Sequence, residues 1–227
     1  MTDRLSASLP ERLRNETREL HTEVERGPLM RDLLRGQLGL GAYCLLLRNL
    51  QPIYVALEAA LVNHASDTLV APVFSRALFR SDALRRDLDA LHGPAWEQAL
   101  AMQPACQVYV ERLQQVGRTS PVLLVAHAYV RYLGDLSGGQ LLKRIVADSL
   151  QLAPGVGTAF YDFGDADQTR RLTRAFRDGL GGIAADEAQT AMIVTEAQHA
   201  FEMHKSLFQQ LASAASVLSG PGALKTP

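Results

Sequence analysis

Residues Tyr132 to Lys143 read Y-L-G-D-L-S-G-G-Q-L-L-K. The segment lies inside a stretch of helical periodicity that starts at Ser120-Pro121 and runs to about Leu150. Serine followed by proline is a start signal. The serine can cap the first turn, and the fixed φ of proline suits the first helical position. Gly134, Gly138 and Gly139 each weaken such a helix by about 0.5–1 kcal/mol relative to alanine. A chain that keeps them around one acid, Asp135, needs its backbone to approach something flat and bulky. An acid beside bare backbone can also hold ordered water. Taken alone, Asp135 reads sooner as a solvated acid on the polar side, and the glycines tip the balance.

The rest of the chain carries the same period. Leu5, Leu9, Leu13, Leu20 and Val24 predict a first helix ending near Gly27-Pro28. Tyr43 to Val62 predicts a long helix with Leu46, Leu50, Tyr54, Leu57 and Leu61 on one face and a kink at Pro52. Residues 63–79 read as mixed, with a loop at Pro72. Ser81 to His92 and Pro104 to Val116 read as shorter helices stopped by Gly93-Pro94 and Gly117. Ala153 to Gly157 breaks the glycine-rich helix, and Asp167 to Leu180 and Glu187 to Leu218 are the last two helical stretches. No strand alternation or repeat is present. The expected fold is all-α, a single-domain helical bundle with a ligand site between helices. Residues 1–215 would form the domain and 216–227 a flexible tail.

The 227 residues are 47% hydrophobic and 21% charged, as in an ordinary globular protein, and the net charge is −1. No global field favours nucleic acid. The polar N-terminus lacks an apolar signal core, and no apolar run reaches membrane-spanning length, so a cytoplasmic protein without an anchor is expected. Cys44 and Cys106 fit buried free thiols in a reducing compartment.

His21 in L-H-T-E-V-E has Glu25 one turn on. One ring nitrogen could bind a metal while the other bonds the acid, or the two form a surface pair. His127 reads as packed and structural, and His64 and His92 as solvated. Glu196 and His199 make one E-x-x-H, but a second is missing, which argues against a di-iron bundle. No P-loop, dinucleotide fingerprint, HExxH or GxSxG occurs.

The chain resembles the biliverdin-producing heme oxygenases. Ala126 to Lys143 (A-H-A-Y-V-R-Y-L-G-D-L-S-G-G-Q-L-L-K) and Arg18 to Glu25 (R-E-L-H-T-E-V-E) carry the resemblance. Gln51 to Glu58 and Val116 to Val125 support it, and the layout agrees from about Leu5 to Leu211. The resemblance implies heme b, as substrate and prosthetic group, sandwiched between a proximal and a distal helix. His21 would be the axial ligand, with Glu25 on its far nitrogen. Thr22 would share that wall, and Met30 and Leu33 would lie near the ring edge. Gly134 and Gly138 would approach the distal face and Gly139 would permit a bend. Asp135 would organise waters that bring a proton to dioxygen, the co-substrate, with Arg131 in the same network. Arg14, Arg177 and Tyr129 would hold the propionates, and Phe201 and Phe208 would line the pocket. Thr173, next to Arg174, stands where the family often has lysine. His204 stands where it commonly has asparagine, and could alter the water network or fill space.

The implied reaction is oxidative cleavage of heme to biliverdin, carbon monoxide and ferrous iron. Electrons would come from a ferredoxin or a flavoprotein reductase docking through arginines such as Arg112, Arg118 and Arg131. A downstream bilin-using protein would be a further partner, and a monomer is the default. Two rivals stay open: a non-catalytic heme carrier or sensor on the same fold, and a thiaminase-like relative using Cys44 or Cys106.

Overall fold

The Glu11 carboxylate accepts from the Ser8 amide at 2.9 Å and from its hydroxyl at 2.8 Å, and these bonds start the first helix of the computed structural model. The structure describes residues 7–218, so Leu5 and the end of the proposed tail, residues 219–227, lie outside the described residues. Helix α1 spans Leu9–Arg26. The chain does not loop after Gly27. Pro28 takes the first position of a second helix, α2 (Pro28–Leu34), because a proline that ends one helix suits the start of the next.

Helix α3 (Leu40–Asn63) continues through Pro52 and is the core of the molecule. It is the one helix among the described residues long and apolar enough to cross a membrane, and most of it is buried in the bundle. Two 3-10 turns, Ala71–Val73 and Arg76–Leu78, lead to α4 (Ser81–His92). The Glu58 carboxylate on α3 caps that helix, accepting from the Arg80 amide at 2.5 Å and the Ser81 amide at 3.1 Å. A short α5 (Trp96–Ala99) precedes α6 (Pro104–Thr119).

Gly117 does not stop α6. A Cβ there would lie 3.1 Å from the Ala60 Cβ, so the glycine is where α3 and α6 come close. Nor is His64 solvated as expected: its Nε2 lies 2.7 Å from the Gly117 carbonyl oxygen.

The glycine-rich segment is not one regular helix. A 3-10 turn (Pro121–Leu123) leads into α7 (Leu124–Ala128), then a π-helical turn (Tyr129–Leu133), then α8 (Gly134–Ser149). Ser120 makes no side-chain cap, because the chain opens in a 3-10 turn. The π turn inserts an extra residue just before Gly134, and such turns gather at functional sites. After the break, Gly157 sits at φ +69° against Leu91, followed by a 3-10 turn at Ala159–Tyr161.

Helix α9 (Ala166–Gly181) is capped by Asp165, whose side chain accepts from the Gln168 amide at 2.7 Å. A Cβ on Gly179 would fall 1.9 Å from the Pro72 carbonyl oxygen, so only glycine lets α9 lie on that turn. Helix α10 (Glu187–Leu218) runs along α1 and also touches α2, α3, α6 and α7. No strand is present among the described residues. The all-α bundle is as expected, and Cys44 and Cys106 are free and buried in it. Burial raises both thiols, to about 11 and about 12, which leaves no thiolate nucleophile for a thiaminase-like reaction.

Candidate functional site

Helices α1 and α2 face the π turn and α8 across a cavity floored by α10. Its walls are mostly apolar, with Met30, Leu33, Phe201 and Phe208 among them.

His21 stands on the α1 wall, and its side chain is 52% exposed. Its Nδ1 is 3.6 Å from the Glu25 carboxylate, a contact too long for a hydrogen bond, so the expected bond is not made in this arrangement. The ring stands edge-on to Phe201, with centroids 5.9 Å apart. No described residue bonds its Nε2, which leaves that nitrogen available to a metal. The described residues contain no cluster of three His, Cys, Asp or Glu able to hold a bare ion. An iron bound here would have to bring its other ligands with it, as a porphyrin does.

The opposite wall is bare backbone. A Cβ on Gly134 or Gly138 would meet nothing within 4 Å, so side chains there would enter the cavity. Gly139 differs: its Cβ would lie 3.6 Å from the Tyr161 carbonyl oxygen, so this glycine also lets α8 pack on the 159–161 turn. One imidazole, two bare glycines facing it and apolar sides fit a heme.

Above the glycines, Asp135 receives a hydrogen bond from the Tyr54 hydroxyl. The same oxygen accepts from Arg131 Nε at 3.1 Å and Nη2 at 3.0 Å. Arg131 is only 5% exposed, and its Nη1 reaches His204 Nδ1 at 3.0 Å. Burial raises the Asp135 carboxyl, and Arg131 and Tyr54 pull it part of the way back. Burial also works against the Arg131 charge, but Tyr54 and Asp135 outweigh it and the guanidinium stays cationic. Tyr132, one residue from Arg131, buries a hydroxyl with no partner among the described residues.

The structure brings together most of the expected site. His21, Glu25, Met30, Leu33, Arg131, Gly134, Asp135, Gly138, Gly139, Phe201, His204 and Phe208 all line the cavity. Four expected residues do not. Thr22 turns its hydroxyl back to the Arg18 carbonyl at 2.9 Å, the usual local bond of a helical threonine. Arg14 and Arg177 are exposed, and Tyr129 packs against the core. Arg131 cannot serve a docking surface, since its charge is buried. Arg112 is tied to Glu196, and Arg118 lies on a separate groove with Gln51, Val55 and Gly117.

Tyr54 was not among the expected site residues, yet its hydroxyl joins Asp135 to Arg131. Its signal was a phenol on the core face of an apolar helix, where the hydroxyl must find a partner. His127 is the structural histidine expected, with Nε2 2.9 Å from Glu196 and no exposure.

Residues 7–210 match the profile of the family described as heme oxygenase. The chain is 39% identical over 211 residues to human heme oxygenase 1, covering 92% of this chain and 73% of that protein. It is 36% identical over 207 residues to heme oxygenase 1 of Nostoc sp., covering 91% and 87%. The fold matches heme oxygenase 2 of Synechocystis sp., solved with heme and NO, at TM-score 0.89 and 37% identity, covering 94% of this chain and 89% of that one. It matches heme oxygenase 1 of Synechocystis, solved with heme, at TM-score 0.86 and 34% identity, covering 94% and 98%.

Proposed function

The chain belongs to the heme oxygenase family, and from that premise we propose that it opens heme oxidatively to biliverdin, carbon monoxide and ferrous iron. The observation that carries the proposal is the pairing of His21 with the Gly134–Gly138 wall under the Tyr54–Asp135–Arg131 chain. A mere carrier needs an axial ligand and apolar walls. It has no use for a buried acid and a buried guanidinium joined through one phenol.

His21 would hold the iron through Nε2. Glu25 is close enough to swing onto Nδ1–H and fix the ring as a neutral imidazole. Met30, Leu33, Phe201 and Phe208 enclose the ring and exclude water. Gly134 and Gly138 let α8 approach the other face. Arg14 and Arg177, both exposed on α1 and α9, would fold over the propionates, where arginine pairs with carboxylate in two parallel bonds. When bound, heme supplies the iron that activates dioxygen and the ring carbon that is oxidised.

Asp135 then manages the proton. Its Oδ2 is held by Tyr54, so the other carboxylate oxygen is left to bond water over the cavity. Burial holds this carboxyl above its ordinary value, so it takes up a proton more readily than an exposed aspartate and can pass it on to bound water. Arg131 keeps the local field positive without itself losing a proton. Electrons would come from a separate redox protein, a ferredoxin or a flavoprotein reductase, since the chain has no nicotinamide- or flavin-binding pattern.

Titration with hemin, followed by reduced ferredoxin under air, tests the reading. A Soret band that decays as a broad red biliverdin absorption grows, with carbon monoxide released, is the expected result. A Soret band that survives reduction in air would make the protein a carrier or sensor.

A further inference from the structure

His204 comes from α10 and enters the cavity wall beside Arg131. Arg131 Nη1 lies 3.0 Å from its Nδ1 and 3.4 Å from its Nε2, and the nearer nitrogen takes the bond. A guanidinium has only donors, so that nitrogen must offer a lone pair. A neutral imidazole carries one acceptor and one donor, and the hydrogen therefore sits on Nε2. Burial and the neighbouring Arg131 charge both oppose a second proton. Phe208 stands edge-on to the ring at 4.0 Å between centroids, which limits its rotation. No described residue accepts from Nε2–H.

We propose that His204 is a positioning residue of this site: it steadies Arg131 through Nδ1 and turns Nε2–H toward the cavity, as a donor to bound water or an anion. The first half keeps the guanidinium aligned on Tyr54 and, through it, on Asp135. The second half adds a neutral donor to the ligand space that takes no charge from the network. The proposal rests on the cavity being a heme site, so its test has one arm with heme and one without.

The heme-free arm is a long-range proton–nitrogen NMR spectrum of histidine-labelled protein, with the His204 signal assigned by its loss in His204→Asn. The Nε2–H tautomer is expected, and an Nδ1–H tautomer or an imidazolium overturns the proposal. The second arm measures fluoride affinity of the hemin complex, because fluoride accepts hydrogen bonds from the distal side. His204→Leu should weaken fluoride binding about tenfold, the loss of one hydrogen bond to an anion. Hemin affinity should stay within about twofold, on the view that one pocket hydrogen bond changes how the anion is held more than how the macrocycle is held. His204→Asn, which keeps a donor and an acceptor on a shorter stem, should retain most of the fluoride affinity. Unchanged fluoride binding in His204→Leu, or a parallel loss of hemin affinity, would show a ring that only fills space. Failure of the unaltered protein to bind hemin would instead sink the proposed function, and the tautomer would still decide the role of His204.

Discussion

The Tyr54 hydroxyl donates to Asp135 across 81 residues of chain and accepts from two nitrogens of Arg131, so one oxygen joins the acid to the guanidinium. Tyr54→Phe removes it. Arg131 then loses the acceptor of two N–H groups while remaining buried, which costs about 1–3 kcal/mol. The expected result is a lower urea midpoint, hemin binding close to that of the unaltered protein, and a reduced biliverdin yield. A variant with full yield would show that Tyr54 only supports the fold.

Asp135→Ala separates binding from chemistry. The side chain lies beside the bare glycines and is not placed to hold a flat ring, so hemin affinity should change little. Proton delivery should fail, and the rate of biliverdin formation should fall by a factor of about 100, within the usual range for a lost general acid. An unchanged rate would remove Asp135 from the proton path.

Gly138→Ala sets the helix against the ligand. Alanine should favour α8 by about 0.5–1 kcal/mol, and its Cβ would meet no protein atom within 4 Å. The heme-free variant should therefore melt higher. The same methyl occupies the space the ring needs, so hemin affinity should drop. If affinity holds, the glycine wall is not the ligand's contact surface.

His21→Ala tests the axial assignment. The imidazole on the α1 wall, whose Nε2 no described residue bonds, would be gone, and the spectrum of a histidine-ligated ferric heme should be lost and partly restored by added imidazole. An unaltered spectrum would move the ligand to another residue.

Much of this arrangement was legible in the sequence because it is written in local patterns. His21 and Glu25 are one helical turn apart, and the glycines around Asp135 announce themselves against helix propensity. What escaped depends on contacts between distant segments. Tyr54 reads as core until α3 is set against α8. The π turn at Tyr129–Leu133 leaves no mark in the hydrophobic period. Gly117 reads as a helix stop and nothing local singles out Gly179, yet both answer to the approach of another segment, at Ala60 and at Pro72. Arg131 was expected both in the distal network and on a docking surface, and the tertiary fold, by burying it, leaves only the first.

Glu196 sets the acid limit of the bundle. Its carboxylate accepts from His127 Nε2 at 2.9 Å and from the Arg112 guanidinium, with His199 Nδ1 at 4.0 Å. Burial works against the charge, but the bonds from His127 and Arg112 win and hold the carboxyl at about 2 against 4.5 unfolded. A depressed carboxyl stabilises the fold fully above its unfolded value, and the gain is lost as pH falls from 4.5 toward 2. His127 adds to this at milder acidity. Burial lowers it below 6.5, so the unfolded chain takes up a proton there before the native state does. Stability should thus begin to fall below about pH 6.5 and fall faster below 4.5. Glu196→Gln keeps an acceptor for His127 but removes the charge facing Arg112. It should be less stable at pH 7 by about 1–3 kcal/mol and show a shallower loss between pH 4.5 and 2. Urea unfolding across that range would measure both. An unchanged acid slope in the variant would place the acid sensitivity on other carboxylates.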